Sequence, residues 1–292
     1  MSEQPPREIR GLILTWQCQH CGWCNDNNNG PCRKCGARRN WRKPVAERRR
    51  VRWFGCGAAS ATAIALDVKA HPGGVIAYCE TRAEHPDNER FLRDCERWWG
   101  AEVVRLHSDE YEDTWDVWER RSYIAGNDGA PCTGLLKVSP RHAFQFPDDI
   151  HVFGYTCDKT DQTRAKRLAE TFFELTIENP LIVAGLDKLA CLAIVQGAGI
   201  ALPVMYLLGF PNNNCIPCPK ATSPNYWAAM RLHFPDQFWR MAELSRRLGA
   251  KLTRINDERI FIDEIPEDWP VLNPLAPACD FLCHLAAQDL AA

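Results

Sequence analysis

Cysteine is the residue type that promises chemistry. The chain has fifteen in 292 residues, with Cys-x-x-Cys pairs at Cys18/Cys21, Cys32/Cys35 and Cys215/Cys218. In a reducing compartment such pairs point to metal binding rather than disulfides. The first two, about ten residues apart, supply four thiolates for a tetrahedral zinc ion. Their segment is too short and polar to bury a core, so metal would have to fold it. The bland alternative is incidental loop cysteines. Cys24 is an extra thiol, and His20 an alternative ligand to one of the four.

Cations and indoles crowd the same region. Between residues 33 and 52 there are ten Lys/Arg and a single acid, Glu47, although the net charge of the chain is −2. Trp23, Arg33, Arg38, Arg39, Trp41 and Arg42 together form a candidate nucleic-acid surface, with guanidinium groups for phosphates and indoles for bases. The alternative is a solvated basic linker with Trp41 docked on the main domain. Pro44 and the run Glu47–Arg50 mark a boundary, giving residues 1–45 as a finger with a basic linker and 46–292 as the main domain.

A third chemistry-bearing stretch is Arg50 to Val68. Arg50–Phe54 carries the β-branched and aromatic residues of a strand. Gly55, Cys56, Gly57, Ala58 and Ala59 then leave the backbone open to close approach. Ser60 is expected as the N-cap of a helix over 61–68. A strand feeding a helix through such a loop presents amides and a positive dipole end to an anion; an ordinary β-turn-α packing connection is the other reading.

The elements that must position these residues alternate. Gly73–Cys79 suits a buried strand, the polar cluster Glu80–Glu89 opens a helix to Trp99, and Ala101–Leu106 suits a third strand. This spacing predicts βαβ units on a mostly parallel, doubly wound sheet, with ligands outside the carboxyl ends of its strands. Glu80, Glu84, His85 and Asp87 lie at one such end as candidate acids or bases. Capping of the next helix by Asp87 or Asn88 is their bland role. An aromatic helix over 111–124, with Trp115 and Trp118, reads as core. Gly129–Arg141 reads as a turn with one cysteine and two cations, and His151–Tyr155 as another strand. Leu181–Ala184 and a helix over 187–196 complete the core, and a helix over 226–248 breaks near Pro235. Cys56, Cys79, Cys95, Cys157 and Cys191 read as small buried residues.

Apolar content of 46% with 25% charge is that of a soluble globular protein. No apolar run reaches the ~18 residues of a membrane span, and the start lacks a signal-peptide core. A cytoplasmic protein without membrane contact is the expectation.

Two resemblances sharpen the reading. Trp16-x-Cys18-x2-Cys21-x3-Asn25-x6-Cys32-x2-Cys35 resembles the RanBP2-type zinc finger, whose members bind single-stranded RNA or protein partners such as ubiquitin. It implies zinc without choosing the partner. From Val51 onward the chain resembles the PAPS reductase-like branch of the adenine nucleotide alpha-hydrolase (PP-loop ATPase) superfamily, in the versions found in phages and mobile elements. The resemblance rests on Phe54-Gly-Cys-Gly-Ala-Ala-Ser-Ala61, Glu84-His-Pro-Asp-Asn-Glu-Arg-Phe91, Gly129-Ala-Pro-Cys-Thr133 and Asn212-Asn-Asn-Cys-Ile-Pro-Cys218.

The second resemblance implies that Gly55, Cys56, Gly57, Ala58 and Ser60 cradle the phosphates or sulfate of ATP or another adenylate. Thr81 and Arg82 would lie beside the nucleotide. Gly55 replaces the usual loop serine, Ala59 the aspartate of ATP pyrophosphatases, and Glu80-Thr-Arg the usual Asp-Thr-Gly. These departures argue against ordinary ATP cleavage. Cys132-Thr-Gly-Leu-Leu-Lys137-Val-Ser-Pro140 is similar to the Cys-Cys-x-x-Arg-Lys-x-Glu-Pro segment of iron–sulfur sulfonucleotide reductases, with Thr133 and Leu136 as departures. With Cys215 and Cys218, and Cys283 or Cys279 as a fourth, it implies either a [4Fe–4S] cluster or a second zinc. Cys283 also faintly matches a C-terminal nucleophile motif.

The resulting expectation is a nucleic-acid-directed enzyme that modifies or excises a base or nucleotide, of the kind used in phage DNA modification or defence. A sulfonucleotide reductase and a non-catalytic nucleic-acid-binding module are the alternatives.

Overall fold

The structure is a computed structural model that describes residues 8–9, 12–13, 15–17, 24–26, 34–35, 45–126, 129–271 and 273. Two short antiparallel ladders come first: β1 (Glu8–Ile9) with β2 (Leu12–Ile13), and β3 (Thr15–Gln17) with β4 (Cys24–Asp26). In the second ladder Trp16 faces Asn25 and Gln17 faces Cys24, so the strands bracket residues 18–23. The expected ligands Cys18, Cys21 and Cys32 lie outside the described residues, as do Trp23, Arg33, Arg38, Arg39, Trp41 and Arg42. Cys35 is described and exposed.

The main domain follows in order. It runs β5 (Arg50–Phe54), α1 (Ala58–Ala70), β6 (Val75–Cys79), α2 (Asn88–Trp99) and β7 (Val103–Leu106), then α3 (Thr114–Arg121). Next come α4 (Pro131–Thr133), a π-helical turn (Gly134–Val138), α5 (Ser139–Phe144), β8 (Ile150–Val152), α6 (Lys159–Thr171) and β9 (Thr176–Glu178). The chain continues through α7 (Pro180–Val183), α8 (Lys188–Gly197), α9 (Val204–Leu207), α10 (Pro224–His233) and α11 (Pro235–Arg247). The hairpin β10 (Thr253–Ile255) and β11 (Glu258–Ile260) comes after these.

Five strands form one sheet in the order β7-β6-β5-β8-β9, with every neighbouring pair parallel. The chain order of the strands reverses between β5 and β8, and the crevice at their carboxyl ends is where such sheets take ligands. The small residues of α1 let it pack closely on β5 and α8, and Phe54, Ile64, Ile76, Phe91 and Leu192 join it in one core. Val51, Trp53 and Ala77 face the other side, towards Phe144 and Phe153. A second core lies among the helices, around the fully buried Trp118, Phe210, Trp227 and Phe238. Trp115 and Trp118 belong to it, which confirms the core reading.

A buried charge network pins α1 to the central strand. Arg52, 2% exposed, donates its Nε to Asp67 at 2.6 Å and its two terminal nitrogens to the carbonyls of Gly73 and His71 at 2.5 Å. Arg50 pairs with both Asp67 and Glu178, and Arg49 with Asp149. Three of the ten cations in the basic stretch are therefore internal fastenings.

Leu181–Val183 is helical: Pro180, with φ preset for a first helical turn, opens α7, and the fifth strand is the preceding β9. The structure corrects two expectations. Gly129–Arg141 is mostly helical rather than a turn. Helix α1 begins at Ala58 with Gly57 as N-cap, so Ser60 is its third residue. Pro235 does divide α10 from α11 as expected. Among the described residues no helix is long and apolar enough to cross a membrane.

Candidate functional site

The loop after β5 lies at the reversal point of the sheet. Cys56 takes a positive φ of 54°, which turns the chain so that Gly57 can start α1. Ser60 reaches back from the first turn: its Oγ accepts from Gly55 N at 3.0 Å and donates to Gly57 O at 3.0 Å. The hydroxyl thus stands inside the loop, where an oxyanion would meet those amides. From behind, Ala58 N donates to the Tyr206 hydroxyl at 3.3 Å and Asn213 Nδ2 to Cys56 O. Asn213 also binds Asn88 Oδ1 at 2.7 Å, so one buried amide ties the loop to the start of α2.

Gly154, just past β8, closes the other side. A Cβ there would lie 2.6 Å from Ser60 Cα and 2.8 Å from Ser60 N. Only glycine lets the end of β8 approach the first turn of α1 this closely. Nothing in the sequence singled it out; its one signal is a glycine directly after the strand that neighbours β5.

At the end of β6 the four candidate acids and bases divide. Glu80 is held by Arg105 at 2.9 Å, and Asp87 by Arg90 at 2.7 Å and Val204 N at 3.0 Å. The hydrogen bonds from Arg90 keep the Asp87 carboxyl below the usual carboxylate range. Neither Asp87 nor Asn88 caps α2 with its side chain, which corrects their expected bland role. His85 Nδ1 accepts from Asp87 N at 3.1 Å. Arg82 is exposed with φ 53°.

Glu84 alone of the four reaches the thiols. Its Oε1 accepts from Thr81 N at 3.1 Å and Thr81 Oγ1 at 2.6 Å, and its Oε2 from Ala83 N at 3.1 Å. The Thr81 hydroxyl lies 2.9 Å from Cys215 Sγ. A carboxylate only accepts and a hydroxyl has one proton, so Thr81 donates to Glu84 and the Cys215 thiol donates to Thr81. Burial, the largest influence, pushes that thiol up to about 12.

The segment Cys132–Arg141 covers this cluster. A π-helical turn, a feature frequent at functional sites, carries Lys137, and Cys79 Sγ lies 3.5 Å from the Lys137 carbonyl. Lys137 is exposed by area, yet its ammonium is within electrostatic reach of Cys215, Glu84, Cys218 and Cys79. Burial lowers its pKa, the four neighbours outweigh it, and the net direction is up. Cys218 in turn is in reach of both Cys215 and Cys132. Three thiols expected together, Cys132, Cys215 and Cys218, therefore share one neighbourhood with Lys137, Thr81 and Glu84. Cys79 and Cys157 are only half-buried, whereas Cys56, Cys95 and Cys191 are buried as expected.

The donor set of that neighbourhood fits a thiolate-bound group. The buried Trp118 Nε1 has no hydrogen-bond partner, and it lies where its N–H counters the upward push of burial on the Cys132 thiol. The three sulfurs are not among the ligand atoms that lie within 4.8 Å of one another, while the sulfur–sulfur edge of a tetrahedral zinc–thiolate site is about 3.8 Å. Cys283 and Cys279 lie outside the described residues. Among the described residues the trio that does converge, Asp67, His71 and Glu178, already holds Arg50 and Arg52, whose charges replace a cation there.

No protein-family model matches the chain, and no curated protein does. Among solved structures it is similar to a phosphoadenylyl-sulfate (PAPS) reductase from Candida auris in a phosphate complex. The identity is 13% and the TM-score 0.44, over 59% of this chain and 83% of that one.

Proposed function

We propose that the chain is a nucleotide-modifying enzyme of the PAPS reductase-like kind. The loop Gly55–Ser60 takes the phosphate or sulfate of an adenylate, and the wall formed by Thr81, Glu84, Lys137, Cys132, Cys215 and Cys218 faces the reacting group. The observation that carries this reading is convergence. An amide-rich loop at the β5–β8 reversal point and a thiol–lysine cluster at the end of β6 open on the same carboxyl edge. Fold alone does not assign activity, so the reading rests on the chemistry of these residues. The spacing of Cys132, Cys215 and Cys218 does not suit a zinc ion; they would hold an iron–sulfur cluster, which when bound supplies electron transfer. Lys137 orients an anionic group beside it, and Glu84 keeps the Thr81–Ala83 turn in place.

The nucleotide is presented as part of a nucleic acid. Seven cations of residues 33–48 are left after the three internal arginines, with Trp23 and Trp41 nearby in sequence, and a zinc held by Cys18, Cys21, Cys32 and Cys35 would order them. A sulfonucleotide reductase acting on free nucleotides has no use for that segment. Calorimetric titration of the full chain with AMP, ATP and a single-stranded oligonucleotide tests both halves. Saturable binding of AMP, with tighter, salt-sensitive binding of the oligonucleotide, is expected. Nucleotide binding with no oligonucleotide affinity favours the reductase alternative, and absence of both overturns the reading.

A further inference from the structure

The hairpin β10–β11 sets two like charges side by side. Arg254 and Arg259 are directly opposite each other across its antiparallel ladder, and both are exposed. Like charges in that relation destabilise a hairpin unless an opposite charge answers them. The turn between them is tight, with positive φ at both Asn256 and Asp257, and such a turn fixes the register. Thr253 Oγ1 donates to the Thr222 carbonyl at 2.9 Å, and Arg259 Nη1 to the Lys251 carbonyl at 3.2 Å.

The helices that end beside the hairpin bring further cations. Arg120 and Arg121 close α3, and Arg246 and Arg247 close α11, where a cation complements the helix dipole. Three of these four are neutralised: Arg120 by Glu110 and Asp116, Arg246 by Asp263 and Glu264, and Arg247 by Glu119. Among the described residues Lys251 and Arg259 have no carboxylate at ion-pair distance, and Arg254 reaches only the fully exposed Asp257, at 3.9 Å. Two clefts open at these spare cations. One, of about 350 Å³, is lined by Tyr123, Leu248, Lys251 and Arg259; the other, of about 250 Å³, by Thr222, Thr253, Arg254 and Arg259. Arg259 is common to both, and Tyr123 is 38% exposed.

We propose that this hairpin is a binding site for the backbone of single-stranded nucleic acid. Arg254 and Arg259 together take one phosphodiester, which turns their repulsion into two charge-assisted contacts. Lys251 adds a further positive charge along the strand, and Tyr123 stacks a base in the adjoining cleft. The aromatic ring beside the cations favours a polynucleotide over an acidic peptide, which offers carboxylates but no base. The site shares no residue with the Gly55–Ser60 crevice or with the basic segment of residues 33–48, so it stands whether or not that crevice takes a nucleotide.

Fluorescence anisotropy of a labelled oligothymidylate on the full chain tests it, for wild type, an Arg254→Gln, Arg259→Gln double variant, Tyr123→Ala and Arg246→Gln. The double variant should bind at least about tenfold more weakly and lower the slope of log affinity against log salt by about one to two. Its thermal midpoint should be unchanged or higher, because a like-charge pair is gone. Tyr123→Ala should weaken binding about tenfold with the salt slope kept, and Arg246→Gln, a cation already neutralised, by less than about threefold. Unchanged affinity in the double variant, or no oligothymidylate binding by wild type, overturns the proposal. Tighter binding of a labelled polyglutamate than of the oligothymidylate also overturns it, and makes the hairpin a protein-docking surface. Calorimetry with AMP separates this site from the crevice, since the double variant should bind AMP as wild type does. A matching loss of AMP affinity would place the two arginines at the crevice and overturn a separate site. If wild type binds no AMP, loss of oligothymidylate affinity in the double variant keeps the hairpin site and discards only the crevice reading. Should the double variant not fold, hydrogen exchange of wild type with oligothymidylate decides: slowed exchange over residues 121–125 and 248–260 supports the site, and its absence overturns it.

Discussion

The Thr81 hydroxyl stands 2.9 Å from Cys215 Sγ and gives its own proton to Glu84. A thiol, a hydroxyl and a carboxylate are thereby connected across residues far apart in sequence. The arrangement holds the Cys215 sulfur near the end of β6, within electrostatic reach of Lys137. Replacing Glu84 by Ala leaves Thr81 N and Ala83 N without their acceptor, a loss of about 1–3 kcal/mol. Denaturant unfolding should show that loss, together with faster alkylation of Cys215 by a thiol reagent counted by mass spectrometry. An unchanged Cys215 rate would mean the carboxylate does not hold the sulfur.

Gly154 gives a sharper steric prediction. An alanine Cβ would sit 2.6 Å from Ser60 Cα, so β8 and the first turn of α1 must move apart at a cost of about 1–3 kcal/mol. Gly154→Ala should weaken AMP binding at least about tenfold because the loop amides lose their alignment. Wild-type affinity in a folded Gly154→Ala protein would remove the strand-end approach from the site.

Asp67 balances Arg52 and Arg50 in the interior. Asp67→Ala strands two guanidinium groups, and chemical denaturation should show a loss of about 3–5 kcal/mol. A loss below about 1 kcal/mol would mean water reaches those arginines.

His151 predicts a pH dependence. It is wholly buried, its Nδ1 accepts from Trp53 Nε1 at 3.1 Å, and burial lowers its pKa from 6.5 to about 4. Between those values the unfolded chain binds the proton and the folded chain does not, so stability rises with pH. The His151 contribution is full above about pH 6.5 and is lost as pH falls towards 4, by roughly 3 kcal/mol. Urea midpoints from pH 7 to 4 should fall less steeply in a His151→Gln protein than in wild type. Parallel slopes would contradict the assignment.

Much of this was legible in the chain because local pattern and final environment agree. Arg50–Phe54 reads as a strand and is one, and the small residues after it form the loop where the sheet reverses. The break at Pro235 is written in a single ring. Residues whose role depends on remote neighbours were not legible. Gly154 matters only because α1 lies against it. Arg49, Arg50 and Arg52 look like part of a basic surface until Asp149, Asp67 and Glu178 arrive from a hundred or more residues away or from the next helix. Glu80 and Asp87 looked like candidate acids, and only tertiary structure supplies Arg105 and Leu202 to Val204 beside them. The π-helical turn at Lys137 depends on the helices around it, and propensity alone reads its Gly and Pro neighbours as a turn.

Hydrogen exchange measured with and without saturating AMP tests the central claim most directly. The account predicts slowed exchange in peptides covering the Gly55–Ser60 loop, the Thr81–Asn88 turn and the Cys132–Arg141 segment, with β10 and β11 unchanged. Protection absent from all three, or confined to the helical lobe around Trp227, would contradict a nucleotide site at the carboxyl edge of the sheet.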